Sequence, residues 1–202
     1  MKLSKVLFSV AMTVMMLFSV AVSASPKKLV LGFAQIGAES GWRTAETGSI
    51  KAAAKAQGIT LKFSDAQQKQ ENQIKALRSF IAQKVDVIAL APVVESGWDT
   101  VLQEAKKAKI PVIIVDRTIN VKDESLYATF VGSDFPLEGK NAAIEMAKLL
   151  NNTGNIVELQ GTVGSSAQVD RLKGFADEIA KYSNIKMLAS QSGDFTIAKG
   201  KE

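Results

Sequence analysis

Short apolar runs rich in β-branched residues recur along the chain, at 29–34, 59–63, 85–90, 110–115, 127–131, 155–159 and 185–189. Between them, the segments 44–57, 70–83, 97–109, 137–150 and 165–181 place apolar side chains at spacings of three and four. Runs of the first kind read as strands buried on both faces, and segments of the second kind as amphipathic helices. Their alternation predicts an α/β protein of repeated βα units, with parallel sheets wound right-handedly and helices on both faces. The junctions agree. Gly58 follows Gln57 where a helix should end in a left-handed residue, and Asn152, Thr153 and Gly154 form a turn before the next strand. Pro92 and Pro136 lie after strands and Pro111 begins one, all places where a missing amide donor does no harm. Near the middle, Gly132, Ser133 and Asp134 make a polar stretch that reads as a crossover between two lobes. An ordinary strand-to-helix loop within one domain is the other reading of the same pattern.

The first 24 residues carry Lys2 and Lys5, an apolar run over 6–22, and the small-residue boundary Val22, Ser23, Ala24. This is the layout of a secretory signal peptide cut after Ala24, so the mature chain is expected to be exported to the periplasm. Loss of the two leader lysines lowers the net charge from +5 to +3, with both signs interspersed, which speaks for solubility and against a nucleic-acid footprint. The chain has no cysteine and no histidine. Disulfide frameworks, thiol nucleophiles and His-dependent triads are thereby excluded, while a carboxylate-pair enzyme survives.

Candidate chemistry gathers where the predicted strands end, because open parallel sheets place ligands beyond their carboxyl edges. The apolar run at 110–115 stops at Asp116 and Arg117. A carboxylate beside a guanidinium suits vicinal hydroxyls, accepting from two and donating to the same oxygens; a surface or interdomain ion pair is the alternative. After the first strand come Glu39, Ser40, Gly41, Trp42 and Arg43, polar groups around a flat indole on which a sugar ring can stack, or which can pack on a neighbouring loop. Gly37 and Gly41 lack the dinucleotide spacing. Asp65 is expected to cap a helix or sit at a rim, Ala91 to Val94 to form an apolar wall, and Trp98 to pack on a helix. Gln160 to Ser166 and Gln191 to Phe195 repeat the polar strand-end pattern. Arg171 follows Asp170 inside a helix, where it either reaches the cleft or pairs at the surface.

Taken in order, Val30-Leu-Gly-Phe-Ala-Gln35, Glu39-Ser-Gly-Trp-Arg43, Gln68-Lys-Gln-Glu-Asn-Gln-Ile-Lys75, Ala91-Pro-Val93, Val115-Asp-Arg117, Glu158-Leu-Gln-Gly-Thr-Val-Gly164, Asp170-Arg171 and Gln191-Ser-Gly-Asp-Phe195 carry a resemblance. The chain resembles the galactofuranose branch of the ribose-binding-protein-like type I periplasmic binding proteins, the sugar-capturing components of bacterial ABC importers. The resemblance implies a type I periplasmic-binding-protein fold of two Rossmann-like lobes, here 25–131 and 132–202 after the leader 1–24. It implies ligand contacts from Glu39, Ser40, Gly41, Trp42, Arg43, Asp116, Arg117 and Arg171. It further implies a monomer that binds a monosaccharide without chemistry or cofactor, binds no nucleic acid, and delivers the sugar to membrane permease subunits. The family continues past the point corresponding to Glu202, so the second lobe is expected to be partial, with apolar faces and strand edges exposed. Three readings stay open beside this one: a sensor presenting its closed form to a chemoreceptor or histidine kinase, a glycosidase built on Glu39 and Asp116, and an inactive fragment. A LacI-type effector domain shares the architecture but needs a helix-turn-helix where the export signal stands.

Overall fold

Each predicted strand is present, and the first five pair side by side, the apolar β1, β3 and β4 in the middle and β2, with Lys62 and Ser64 alternating with Leu61 and Phe63, at one edge. The computed structural model describes residues 27–202; the predicted leader lies outside the described residues. In chain order the elements are β1 (Val30–Gln35), α1 (Gly41–Ala56), β2 (Thr60–Asp65), α2 (Gln70–Ala82), β3 (Val87–Leu90), α3 (Asp99–Lys107), β4 (Val112–Asp116), a 3₁₀ turn (Glu124–Leu126), β5 (Thr129–Gly132), α4 (Phe135–Leu149), β6 (Gly154–Gln160), α5 (Ser166–Ile179) and β7 (Ile185–Ser192). A five-stranded sheet runs in the order β2-β1-β3-β4-β5, every pair parallel, and β6 and β7 form a separate parallel pair.

Alternation along the strands divides the core in two. Ala34, Ile88, Leu90, Val112 and Ile114 pack with α2 and α3 on one face, around Leu77, Phe80, Val101 and Leu102. Phe33, Ala89 and Ala91 pack on the other face with Leu61, Phe63 and Ile50 of α1. Trp98 is fully buried and its indole N–H donates to the Val94 carbonyl, so it packs as expected. Buried Gln73 ties the strand ends together: its Nε2 donates to Ala91 O at 2.5 Å and its Oε1 accepts from Val93 N at 2.9 Å.

The chain leaves the first sheet at Gly132. Pro136 lies in the first turn of α4, where its fixed φ is compatible with the helix. Helices α4 and α5 approach so closely that a Cβ on Gly139 would stand 2.1 Å from the Arg171 carbonyl oxygen, and one on Gly174 2.0 Å from that of Pro136. Two hydrogen bonds join the halves beyond this, Glu95 N to Gly164 O at 3.0 Å and Thr118 N to Ser166 Oγ at 2.9 Å. On the smaller sheet Val157, Leu159 and Leu188 stand exposed, as expected from its two strands. Of the two roles expected for Asp65, cap or rim contact, the cap is not seen: the N-cap of α2 is Lys69, without a side-chain bond. Asp65 Oδ1 instead accepts from Gln67 N at 2.8 Å, a local turn that competes with helix capping.

Candidate functional site

The carboxyl ends of β1, β4 and β5 and the start of α5 surround a cavity of about 340 Å³. Ser40 caps α1, its Oγ accepting from Arg43 N at 3.2 Å, and this turn sets the stretch from Glu39 to Arg43 at the cavity. Glu39, Ser40, Trp42, Arg43, Asp116, Arg117 and Arg171 all line it; Gly41, the first residue of α1, does not. Ser133, Phe135, Glu138, Ala167 and Phe195 complete the wall.

Arg43 is at the centre of the charge network. Its side chain is buried and surrounded by carboxylates: Nε donates to Glu39 Oε1 at 3.1 Å, Nη2 to Asp116 Oδ2 at 2.7 Å, and Nη1 to Glu46 Oε2. Burial pushes this guanidinium's pKa down, but the charges of Asp116 and Glu46 and the hydrogen bonds it donates to Asp116 and Glu39 outweigh it, and the net shift is upward. Asp116 itself has φ 66, a left-handed conformation unusual for a non-glycine residue and sustained only where the surroundings determine it. Arg117 is equally buried, its Nη1 donating to Val93 O at 3.2 Å and its guanidinium lying 5.0 Å from the Phe195 ring. Here burial wins, aided by the positive charge of Arg43, and the pKa falls to about 10. Glu39 Oε2 is buried without a hydrogen-bond partner among the described residues.

From the opposite side, Arg171 rests 4.4 Å from the centre of the Phe135 ring and its Nε donates to Glu138 Oε2 at 2.7 Å. Its ion-pair partner is therefore Glu138 of α4 and not its neighbour Asp170, because adjacent helical residues point in different directions. Trp42 is 60 % exposed and presents an indole face beside Arg43. The lining thus balances three carboxylates against three guanidiniums between aromatic planes. Such a set favours an uncharged ligand rich in hydroxyls, which can donate and accept at once. Phe135, Glu138 and Phe195 were not singled out as site residues in the sequence; Phe195 closes one of the polar strand-end segments and was the most accessible of the three.

A family model described as a periplasmic binding protein domain matches residues 31–202. The chain is 59% identical over 175 residues to the galactofuranose-binding protein YtfQ of Escherichia coli strain K12, covering 86% of this chain and 55% of that protein. Among solved structures, the periplasmic binding component of the arabinose ABC transporter of Shewanella sp. ANA-3, bound to α- and β-L-arabinofuranose, is 57% identical, with TM-score 0.83 over 85% of this chain and 57% of that one. A Mycobacterium smegmatis protein in complex with β-D-fucofuranose is 55% identical, with TM-score 0.83 over 86% and 58%. The chain spans about half the length of the curated relatives it matches.

Proposed function

Because this chain belongs to the periplasmic binding protein family, we propose that it is an exported receptor that captures one neutral monosaccharide, galactofuranose or a similar hexose or pentose in the furanose form, for delivery to an ABC permease. Residues 25–131 and 132–202 are its two lobes, and the cavity between the two sheets is the sugar site. The observation that carries this reading is the cavity itself: about 340 Å³, within the range of small-molecule sites, with Arg43, Arg117 and Arg171 balanced by Glu39, Asp116 and Glu138 beside the exposed face of Trp42. Asp116 and Arg117 supply acceptor and donors for vicinal hydroxyls. The unpartnered Glu39 Oε2 accepts a hydrogen bond from a sugar hydroxyl, which offsets the cost of burying that oxygen. The furanose preference is supported by the sugars named for the relatives above. Binding needs no bond to be made or broken, and Glu39 and Asp116 share one guanidinium as fixed acceptors instead of standing as an acid and base pair.

The test is a thermal melt of the purified chain with methyl galactofuranoside and with its pyranoside. A ligand that binds only the native state adds about 2.7 kcal/mol of stability at a hundredfold excess over Kd, so the furanoside is expected to raise the transition and the pyranoside to leave it in place. No shift with either sugar, together with no heat of binding in calorimetry, overturns the reading.

A further inference from the structure

We propose that Glu46, which lies outside the cavity lining, is a positioning residue that acts through Arg43 to hold Asp116 in its binding orientation. The proposal rests on the sugar-binding reading for its consequence and on the following geometry for its substance. A guanidinium is a rigid plane whose five N–H donors, carried on three nitrogens, leave in fixed directions. Two of those directions are held by the chain around Arg43 itself: Nε by Glu39, four residues before it, and Nη1 by Glu46, three residues after it and one turn along α1. With both held, the direction of Nη2 is set, and it meets Asp116 Oδ2 at 2.7 Å, 73 positions away in sequence at the end of β4. Glu46 is itself anchored. Gln35, fully buried as the last residue of β1, donates from Nε2 to Glu46 Oε2 at 3.1 Å and to Thr47 Oγ1 at 2.9 Å, and its Oε1 accepts from Ile36 N at 2.8 Å. The result is a continuous path from the edge of β1 through Glu46 and Arg43 to Asp116. Asp116 needs such a path because its left-handed backbone is not held by local preference.

The role separates Glu46 from a bystander carboxylate. Removing it frees the Nη1 corner, the plane can rotate about Nε, and the bond to Asp116 loses its direction while Glu39 and Asp116 remain in place. Replacement by glutamine keeps an acceptor at the same distance, so it should restore most of what alanine removes.

Two readouts test this on the purified chain. In the sugar-free protein labelled with ¹⁵N-arginine, Glu46→Ala is expected to speed exchange of the Arg43 Nη–H protons with water about tenfold by exposing a hydrogen bond that is closed in the parent, and Glu46→Gln to return it close to the parent rate. In calorimetry with methyl galactofuranoside, Glu46→Ala is expected to weaken binding about tenfold, Glu46→Gln to recover most of it, and Glu46→Ala combined with Asp116→Ala to be no worse than Asp116→Ala alone, since both act on one element. Unchanged Arg43 exchange in the alanine variant, or additive losses in the double variant, overturns the positioning role. Absence of binding in the parent overturns the sugar reading instead, and the exchange measurement still decides the role of Glu46.

Discussion

Arg117→Met should make the empty protein more stable and unable to bind sugar. Arg117 is 3 % exposed, and burial, followed by the charge of Arg43, holds its pKa at about 10. A depression of that size from the ordinary guanidinium value corresponds to about 3 kcal/mol by which the native state disfavours the charge. Against this stand the hydrogen bond to Val93 O and the Phe195 ring at 5.0 Å, about 1 kcal/mol each. Methionine fills the volume of the stem with an apolar chain, and exchanging buried charge for apolar volume is often stabilising by about 1–4 kcal/mol. The net expectation is a gain of about 1 kcal/mol, which for a chain of this size raises the melting temperature by about 2–4 °C. The sign with pH follows from the native value lying below the unfolded one. The penalty is complete at every pH below about 10 and is relieved only as pH rises from there toward the unfolded value. The difference between variant and parent should therefore be constant from about pH 5 to about pH 8. Scanning calorimetry across that range, with titration of methyl galactofuranoside at one pH, measures both halves. A variant that melts lower than the parent, or one that binds as tightly, refutes the reasoning.

Four further perturbations probe other parts of the molecule. Trp42→Ala should weaken sugar binding about tenfold in calorimetry through lost stacking while leaving the melt of the empty protein unchanged, because the indole is mostly exposed; a loss of folding instead would favour the packing role. Gly139→Ala should cost about 1–3 kcal/mol in urea denaturation and weaken binding as well, since its Cβ meets the Arg171 carbonyl at 2.1 Å and must push α5 and Arg171 away. Gly48→Ala, in α1 with nothing within 4 Å, should instead stabilise by about 0.5–1 kcal/mol. The Glu95 carboxyl is held above its ordinary range by burial and then by the charge of Asp170. Stability from such a group is present below the unfolded pKa and lost as pH rises through the native one, so Glu95→Gln should melt above the parent near neutral pH, with the difference shrinking in acid. A gap that widens as pH falls would contradict that sign.

Where the sequence was read correctly, the signal was local. The run 110–115 and the helical spacing of 70–83 each depend on neighbours within a few residues, so β4 and α2 were legible from periodicity, as was the left-handed Gly58. Six of the eight named site residues, Glu39, Ser40, Trp42, Arg43, Asp116 and Arg117, follow strand ends and line one cavity, because parallel strands all end on the same side, and Arg171, which the resemblance supplied, joins them from α5. Gly41 does not line the cavity, since membership of a motif does not say which residues of a helix start border it. Sequence order did not give the partners of Asp65 and Arg171: Asp65 closes its own turn instead of capping α2, and Arg171, which lines the cavity, pairs with Glu138, 33 positions earlier, and not with Asp170.

The sequence by itself determined the alternation of strands and helices, the α/β class, the absence of thiol and imidazole chemistry, and the placing of polar groups at strand ends. Only the tertiary structure decided that one guanidinium, Arg43, is shared by Glu39, Glu46 and Asp116, that Phe195 covers Arg117, and that Arg171 turns to Glu138 over Phe135. Periodicity records which face of an element is apolar, a property of residues close in the chain. The partner of a buried charge is set by which elements the sheet order brings together: Arg43, just after β1, reaches Asp116 at the end of β4 past the intervening β3, and α4 packs on α5, across separations that no local pattern encodes.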